Sequence, residues 1–236
     1  MADNRSIVHL VRHGEVDNRA IVHLVRHGEV HNPEGLLYGR LPGYHLSDLG
    51  REMAGRVSED LRGHDIVHLR CSPLERAQET MEPLATALDL PVTTDGRVIE
   101  AGNELEGRVV SPLNLLKGGP KSWWLFRNVL KPTWGEPYTE IAARMRLAMK
   151  DAAEAAIGHE AVVVSHQLPI WMARCDAEGR RLAHDPRKRQ CTLASVTTFT
   201  FIDGRVASVA YREPAADLLR PHQRVTPASG KFVAGA

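Results

Sequence analysis

Near its start the chain runs Ile-Val-His-Leu-Val straight into Arg-His-Gly-Glu, at 7–15, and repeats the phrase at 21–29. Each apolar run is strand-like and ends where a polar, glycine-containing turn begins. After the second copy, a Pro/Gly-rich stretch at 32–44 predicts a loop. Ser47 then caps a helix over about 48–62, with Leu49, Met53, Val57 and Leu61 recurring every fourth residue. DIVHLRC at 65–71 predicts a short strand. Behind it, Ser72-Pro73-Leu74-Glu75 reads as a capping box with proline at the first helical position. The helix that follows sets Leu74, Ala77, Met81, Leu84 and Leu88 on one face.

Further on, 91–94 predicts another short strand, and 100–135 is irregular, rich in Gly, Pro and Trp, with a helix expected near 123–130. An amphipathic helix is marked over about 137–157 by Ile141, Met145, Met149, Ala152 and Ala156. The unbroken apolar run AVVVS at 161–165 suits a strand buried on both faces of a parallel sheet, and a helix follows from about 168. Alternating strands at 192–202 and 205–212 join through Asp203-Gly204, a hairpin signal. From Pro214 the tail is poor in core residues and is expected to be partly mobile. Strands alternating with helices specify a three-layer α/β domain with a mostly parallel central sheet. Ligands bind such sheets beyond the carboxyl ends of the strands. That rule singles out Arg26-His27, the stretch from Ser72 to Arg76, and Ser165-His166.

Residues 4–17 and 18–31 are a tandem repeat that differs only at Ser6/Ala20 and Asp17/His31. The unit is too short for a solenoid, which needs longer repeats and at least three of them. One sheet offers one slot for a given first strand, so the repeat reads as a duplicated N-terminal extension.

Composition narrows the partners. With 30 basic and 29 acidic side chains the chain is nearly neutral, and no global field argues for nucleic acid. The cluster Arg180, Arg181, Arg187, Lys188 and Arg189 reads as a solvated loop, with the steering of an anionic substrate as the alternative. Cys71, Cys175 and Cys191 have no paired spacing, which argues against disulfides and a zinc site and fits a cytoplasmic protein. No stretch approaches the roughly 20 apolar residues that span a bilayer.

The three strand ends carry histidines and arginines, the side chains that a transferring phosphoryl group requires. Its oxygens hold spread negative charge, which arginine meets with a planar fork. Gly28 lets the backbone approach an anion without a Cβ in the way. Arg76 falls in the first turn of its helix, where N–H groups favour an anion. A neutral imidazole at His27 can attack phosphorus and hold the group covalently.

VHLVRHGEV, SPLERAQET, VIEAGNELEG and VVVSHQ, in this order, resemble the histidine phosphatase (phosphoglycerate mutase-like) superfamily, over about residues 20–212. The resemblance implies a Rossmann-like fold with a small cap insertion at about 100–135. It also implies a phosphohistidine intermediate and a small phosphate ester as substrate, with no metal or nucleotide cofactor. By position, His27 resembles the nucleophile. Arg26, Arg76 and His166 resemble the phosphate clamp, Asn32 an auxiliary ligand, and Glu100 the general acid that becomes the base for water. A carboxyl beside a dianion should have a raised pKa, which suits that task. SPLERAQET looks more like the phosphatase branch than the mutase branch, whose members generally carry a longer insertion. Gln167 in place of the usual glycine, the position of Asn32, and a short loop from Gly43 to Gly50 depart from the family pattern and bear on substrate preference.

Other assignments stay open at this point. Glu104 or Glu106 could be the acid instead of Glu100, Asn32 could simply shape the turn before Pro33, and His166 could be a buried hydrogen-bonding residue. His9, His23 and His68 read as packing residues. Trp123, Trp124 and Trp134 read as packing the cap, or as lining a pocket for an apolar substrate. The expected organisation is an extension at 1–17, a phosphatase domain at 18–213 and a tail at 214–236. His13 has the same local setting as His27, but only the second copy runs directly into the loop and helix that must follow. Stranding its apolar residues would cost about 1.5–3 kcal/mol for each large side chain. Use of the first copy would therefore be a minor state.

Overall fold

A computed structural model describes residues 18–109, 135–223 and 232–233. The first repeat copy, the helix expected near 123–130 and all three tryptophans of the expected cap lie outside these residues. One mixed sheet has the strand order β3-β2-β4-β1-β5-β6-β7. Its strands are β1 (Arg19–Arg26), β2 (Ile66–Cys71), β3 (Val92–Thr94), β4 (Glu160–Ser165), β5 (Val196–Ile202), β6 (Arg205–Arg212) and β7 (Phe232–Val233). β3, β2, β4 and β1 run parallel, and β5, β6 and β7 extend the sheet in antiparallel pairs. The second repeat copy thus holds a central slot, paired on one side with β4 and on the other with β5.

Among the described residues four α-helices complete the layers: α1 (Asp48–Leu61), α2 (Glu75–Leu88), α3 (Tyr138–Ala155) and α4 (Gln167–Ala177). Side chains alternate across a strand, and the two apolar cores follow that alternation. Ala20, Val22 and Leu24 of β1 with Ala161 and Val163 of β4 face α3 and α4. Val25 with Val162 and Val164 face α1 and α2. Among the described residues no helix is long and apolar enough to cross a membrane.

The helix signals hold in part. Ser47 caps α1 as expected, its hydroxyl accepting Gly50 N–H at 3.0 Å. The expected box at 72–75 does not form: α2 starts at Glu75 after an N-cap Leu74 that makes no side-chain bond. The Glu75 carboxylate turns instead to the Gly43 N–H, and Ser72 is drawn toward His166. Asp203 and Gly204 both have positive φ, as the tight turn between β5 and β6 requires. Residues 192–195 precede β5 rather than belonging to it.

Two readings need correction. The segment after Pro214 is not poor in anchors throughout, because Ala215 and Leu219 are buried in the α1/α2 core. Glu29 adds to this by accepting from Arg220 and Gln223. His23 does not merely pack: its ring reaches Glu160 Oε2 at 2.6 Å and Thr198 Oγ1 at 2.9 Å, and His64 shares the same carboxylate oxygen at 2.8 Å. His68 is half-buried on β2.

Gly28 is demanded by packing. A Cβ there would stand 2.5 Å from the Gly50 carbonyl oxygen, so the turn after β1 and the first turn of α1 meet backbone to backbone. The notion that this glycine clears space for an anion is replaced by that contact. Overpacking typically costs about 1–3 kcal/mol. Gly28→Ala is therefore expected to lower the free energy of unfolding by such an amount, seen by circular dichroism as a lower urea midpoint with an unchanged m value.

Candidate active site

Three strand ends build the site. At the end of β1, His27 N–H donates to Ser165 O and His27 O accepts from Ala194 N–H, which ties its backbone to β4 and to the turn before β5. Gly28 N–H donates to Thr80 Oγ1 of α2 at 3.1 Å. The His27 ring is almost wholly buried. Its Nδ1 lies 2.8 Å from Gly28 O, and a carbonyl can only accept, so Nδ1 carries the proton and Nε2 keeps its lone pair. Burial, then the charges of Arg26 and Arg76, hold His27 well below the usual imidazole pKa. The result is a neutral, oriented nitrogen nucleophile.

His166, fully buried at the end of β4, has its ring centroid 5.2 Å from that of His27. Its Nε2 lies 2.7 Å from Ser72 Oγ at the end of β2. Where the hydroxyl donates to that nitrogen, His166 Nδ1 holds the proton; this buried Nδ1 has no acceptor in the protein. Burial, followed by His27, Arg76 and Arg26, keeps the ring neutral by lowering its pKa well below the usual value.

Arg76 is completely buried. One terminal nitrogen donates to Gly39 O at 2.6 Å, while Nε and the other terminal nitrogen find no acceptor. Tyr38 lies over it, 4.8 Å from guanidinium carbon to ring centroid, and edges His27 at 6.5 Å. Arg26 gives one N–H to Cys191 O at 2.7 Å and leaves a buried Nε unpaired. Leaving a buried donor unmade costs about 1–3 kcal/mol, and more for a charged group. Several such donors around one imidazole therefore call for an anion.

A cavity of about 410 Å³ opens beside these groups, lined by Arg26, His27, Tyr38, Glu100, Gln167 and Arg189 among others. Burial raises the Glu100 pKa, opposed by the Ala101 N–H and by Arg76, Arg26 and Arg189. Arg40 Nε donates to Glu100 O at 2.7 Å and bridges to Glu136, so the Glu100 peptide is held from behind. Glu104 is exposed, and Glu106 accepts from Arg40 N–H; neither lines the cavity.

Five of the six residues singled out in the sequence, Arg26, His27, Arg76, Glu100 and His166, therefore gather at one place. Asn32 does not join them. Its amide donates to Leu36 O and accepts from Leu36 N–H, so it shapes the loop, and it is absent from the cavity wall. Arg189 departs from the solvated reading of its cluster: it is half-buried in the cavity wall, whereas Arg180, Arg181, Arg187 and Lys188 are exposed. Tyr38 and Ser72 are further additions. Only the placement of Ser72 beside a strand end hinted at its role.

Comparison with known proteins agrees with this geometry. The family model described as histidine phosphatase superfamily (branch 1) matches residues 22–214. An uncharacterized protein of Mycobacterium tuberculosis is 52% identical over 209 residues, covering 89% of this chain and 96% of its own length. A probable phosphoglycerate mutase of Yersinia pestis is 30% identical over 161 residues, covering 64% of this chain and 72% of its own. The solved structure of a mycobacterial glucosyl-3-phosphoglycerate phosphatase superposes with a TM-score of 0.65 at 23% identity, over 82% of this chain and 96% of that one.

Inorganic phosphate is expected to raise Tm in a scanning fluorimetry titration, because it satisfies the unpaired donors only in the folded state. At about 100 times its Kd the gain would be about 2.7 kcal/mol. Arg76→Gln should abolish the rise, and a rise that survives the substitution would place the anion elsewhere.

Proposed function

Because the chain belongs to the histidine phosphatase superfamily, branch 1, we propose that it is a phosphomonoester hydrolase working through a covalent phosphohistidine at His27. The observation that carries the reading is the set of buried nitrogens without partners, on Arg26, Arg76 and His166, gathered around a neutral His27. The substrate is a small phosphate ester.

In the first step His27 Nε2 forms a bond to phosphorus as the ester P–O bond breaks. Glu100, whose pKa burial raises, gives its proton to the departing alcohol oxygen. The forks of Arg26 and Arg76 take up the negative charge spread over the phosphoryl oxygens. In the second step Glu100, now a carboxylate, removes a proton from water. The water oxygen attacks phosphorus, the N–P bond breaks, and inorganic phosphate leaves with His27 neutral again. No step needs a proton beyond the one that Glu100 carries back and forth.

A second reading, transfer of the phosphoryl group back to a bound product, is favoured by the 30% identity to a probable phosphoglycerate mutase. Both readings share the phosphoenzyme and differ in what removes the group. Incubation with 4-nitrophenyl phosphate, acid-labile phosphoenzyme trapping and phosphate release separates them. Hydrolysis with trapping is expected. Trapping with transfer only in the presence of a bisphosphate primer would mark the mutase, and no labelling would mark a mere phosphate binder. His27→Ala is expected to lose both signals while His13→Ala keeps them; appreciable turnover in His27→Ala would mean that the first repeat copy can serve.

The pH profile follows from the two shifts. A His27 pKa lowered from its usual value moves the acid limb of kcat/KM below about 6.5. A raised Glu100 pKa moves the alkaline limb above the ordinary carboxylate range. Glu100→Gln should remove the alkaline limb and slow alkyl phosphates by about 10²–10⁴-fold, and 4-nitrophenyl phosphate much less, since its leaving group needs little protonation. Equal slowing of both ester types would remove Glu100 from the role of acid.

A further inference from the structure

Arg189 stands in the wall of the same cavity as Arg26, His27 and Glu100. The cavity, at about 410 Å³, falls in the range of small-molecule sites, about 300–1,000 Å³. It has room for the alcohol part of an ester as well as its phosphate. What is unusual about Arg189 is its company. Away from the Arg26/Arg76 clamp, shielded arginines hold carboxylates: Arg70 pairs with Asp95, Arg144 with Glu136, and Arg174 with Glu178. Arg189 hydrogen-bonds His184 instead, with Tyr138 close by.

The geometry shows how this cation is held. His184 Nδ1 lies 2.6 Å from Leu182 O, and since the carbonyl accepts, Nδ1 carries the proton. The lone pair on His184 Nε2 then accepts Arg189 Nε–H at 2.8 Å. Tyr138 and Trp171 pack against the His184 ring at centroid distances of 5.4 and 5.8 Å. The guanidinium is aimed from its Nε side by a fixed imidazole, and its charge has no carboxylate bonded to it. An unpaired charge removed from water is costly, and the cavity is the place where a partner can reach it.

We propose that Arg189 is a second anion site, so that the natural substrate is a phosphomonoester whose alcohol part carries its own negative charge, a carboxylate or a further phosphate. This inference rests on the hydrolase reading of the His27 site. Planar, bidentate recognition of an oxyanion is what arginine does best. His184 is a positioning residue in this scheme, since it acts only through Arg189. Arg189 also acts electrostatically on Glu100, so a rival role is to tune the acid, and the test must separate the two.

Matched esters do so: propyl phosphate, 3-phosphonooxypropionate and 1,3-propanediol bisphosphate, which share a chain length and differ in the charge at its far end. Wild-type kcat/KM is expected to be at least tenfold higher for one of the two charged esters, and the choice between them identifies carboxylate or phosphate. Arg189→Gln should erase that advantage, mainly through KM, with a far larger loss on the charged ester than on propyl phosphate. His184→Ala should weaken the preference, and His184→Gln, whose amide oxygen can accept from Arg189, should restore much of it. Equal losses on all three esters in Arg189→Gln would make Arg189 a tuner of Glu100 and overturn the proposal. So would a wild-type enzyme that turns over propyl phosphate as well as the charged esters. If none of the three releases phosphate, the hydrolase reading itself falls, and this inference with it.

Discussion

Arg76 is a fully buried cation with only part of its hydrogen-bonding capacity used inside the protein. Its position explains much of the architecture around it. To bring it there, β2 must end beside β4, α2 must start at Glu75, close behind β2, and the loop after β1 must fold back so that Gly39 can accept one of its protons. Thr80, one turn further along α2, accepts from Gly28 N–H while its own hydroxyl caps Arg76 O. One helix therefore positions both Arg76 and the backbone next to His27. Four of the buried side-chain nitrogens without a partner, on Arg26, Arg76 and His166, lie together here.

Two neutral histidines beside two arginines would be a poor arrangement for a stable apolar core but a good one for a dianion. Neutrality has a consequence for stability. Below about pH 6.5 the unfolded imidazoles take up protons that buried His27 and His166 resist. Both folded pKa values are lowered, so both groups work against the fold as pH falls through that window. The same burial that keeps Nε2 nucleophilic thus makes the domain acid-sensitive.

The sequence was most legible where chemistry coincides with a strand end. Arg26, His27 and His166 follow apolar runs that can only be buried strands, and Arg76 opens a helix directly behind another. Loops were harder. Asn32 has the right chemistry and a short distance along the chain, but its amide is consumed by Leu36, a partner that local sequence does not announce. Arg189 sits in a run of basic residues, and nothing in that run distinguishes the one turned inward by His184 from the four left in water. Ser72 shows the same limit: Ser-x-x-Glu has the spacing of a cap, yet both side chains found better partners across the fold.

The repeat leaves one last trace in the packing. Where β1 presents Ala20 to the α3/α4 layer, nearly sealed from solvent, the upstream copy would present Ser6. Two otherwise interchangeable strands thus differ at a buried position by a single oxygen atom. Burying that oxygen carries a desolvation cost that Ala20 avoids, which favours the copy ending in His27 and makes strand choice during folding lean on one hydroxyl.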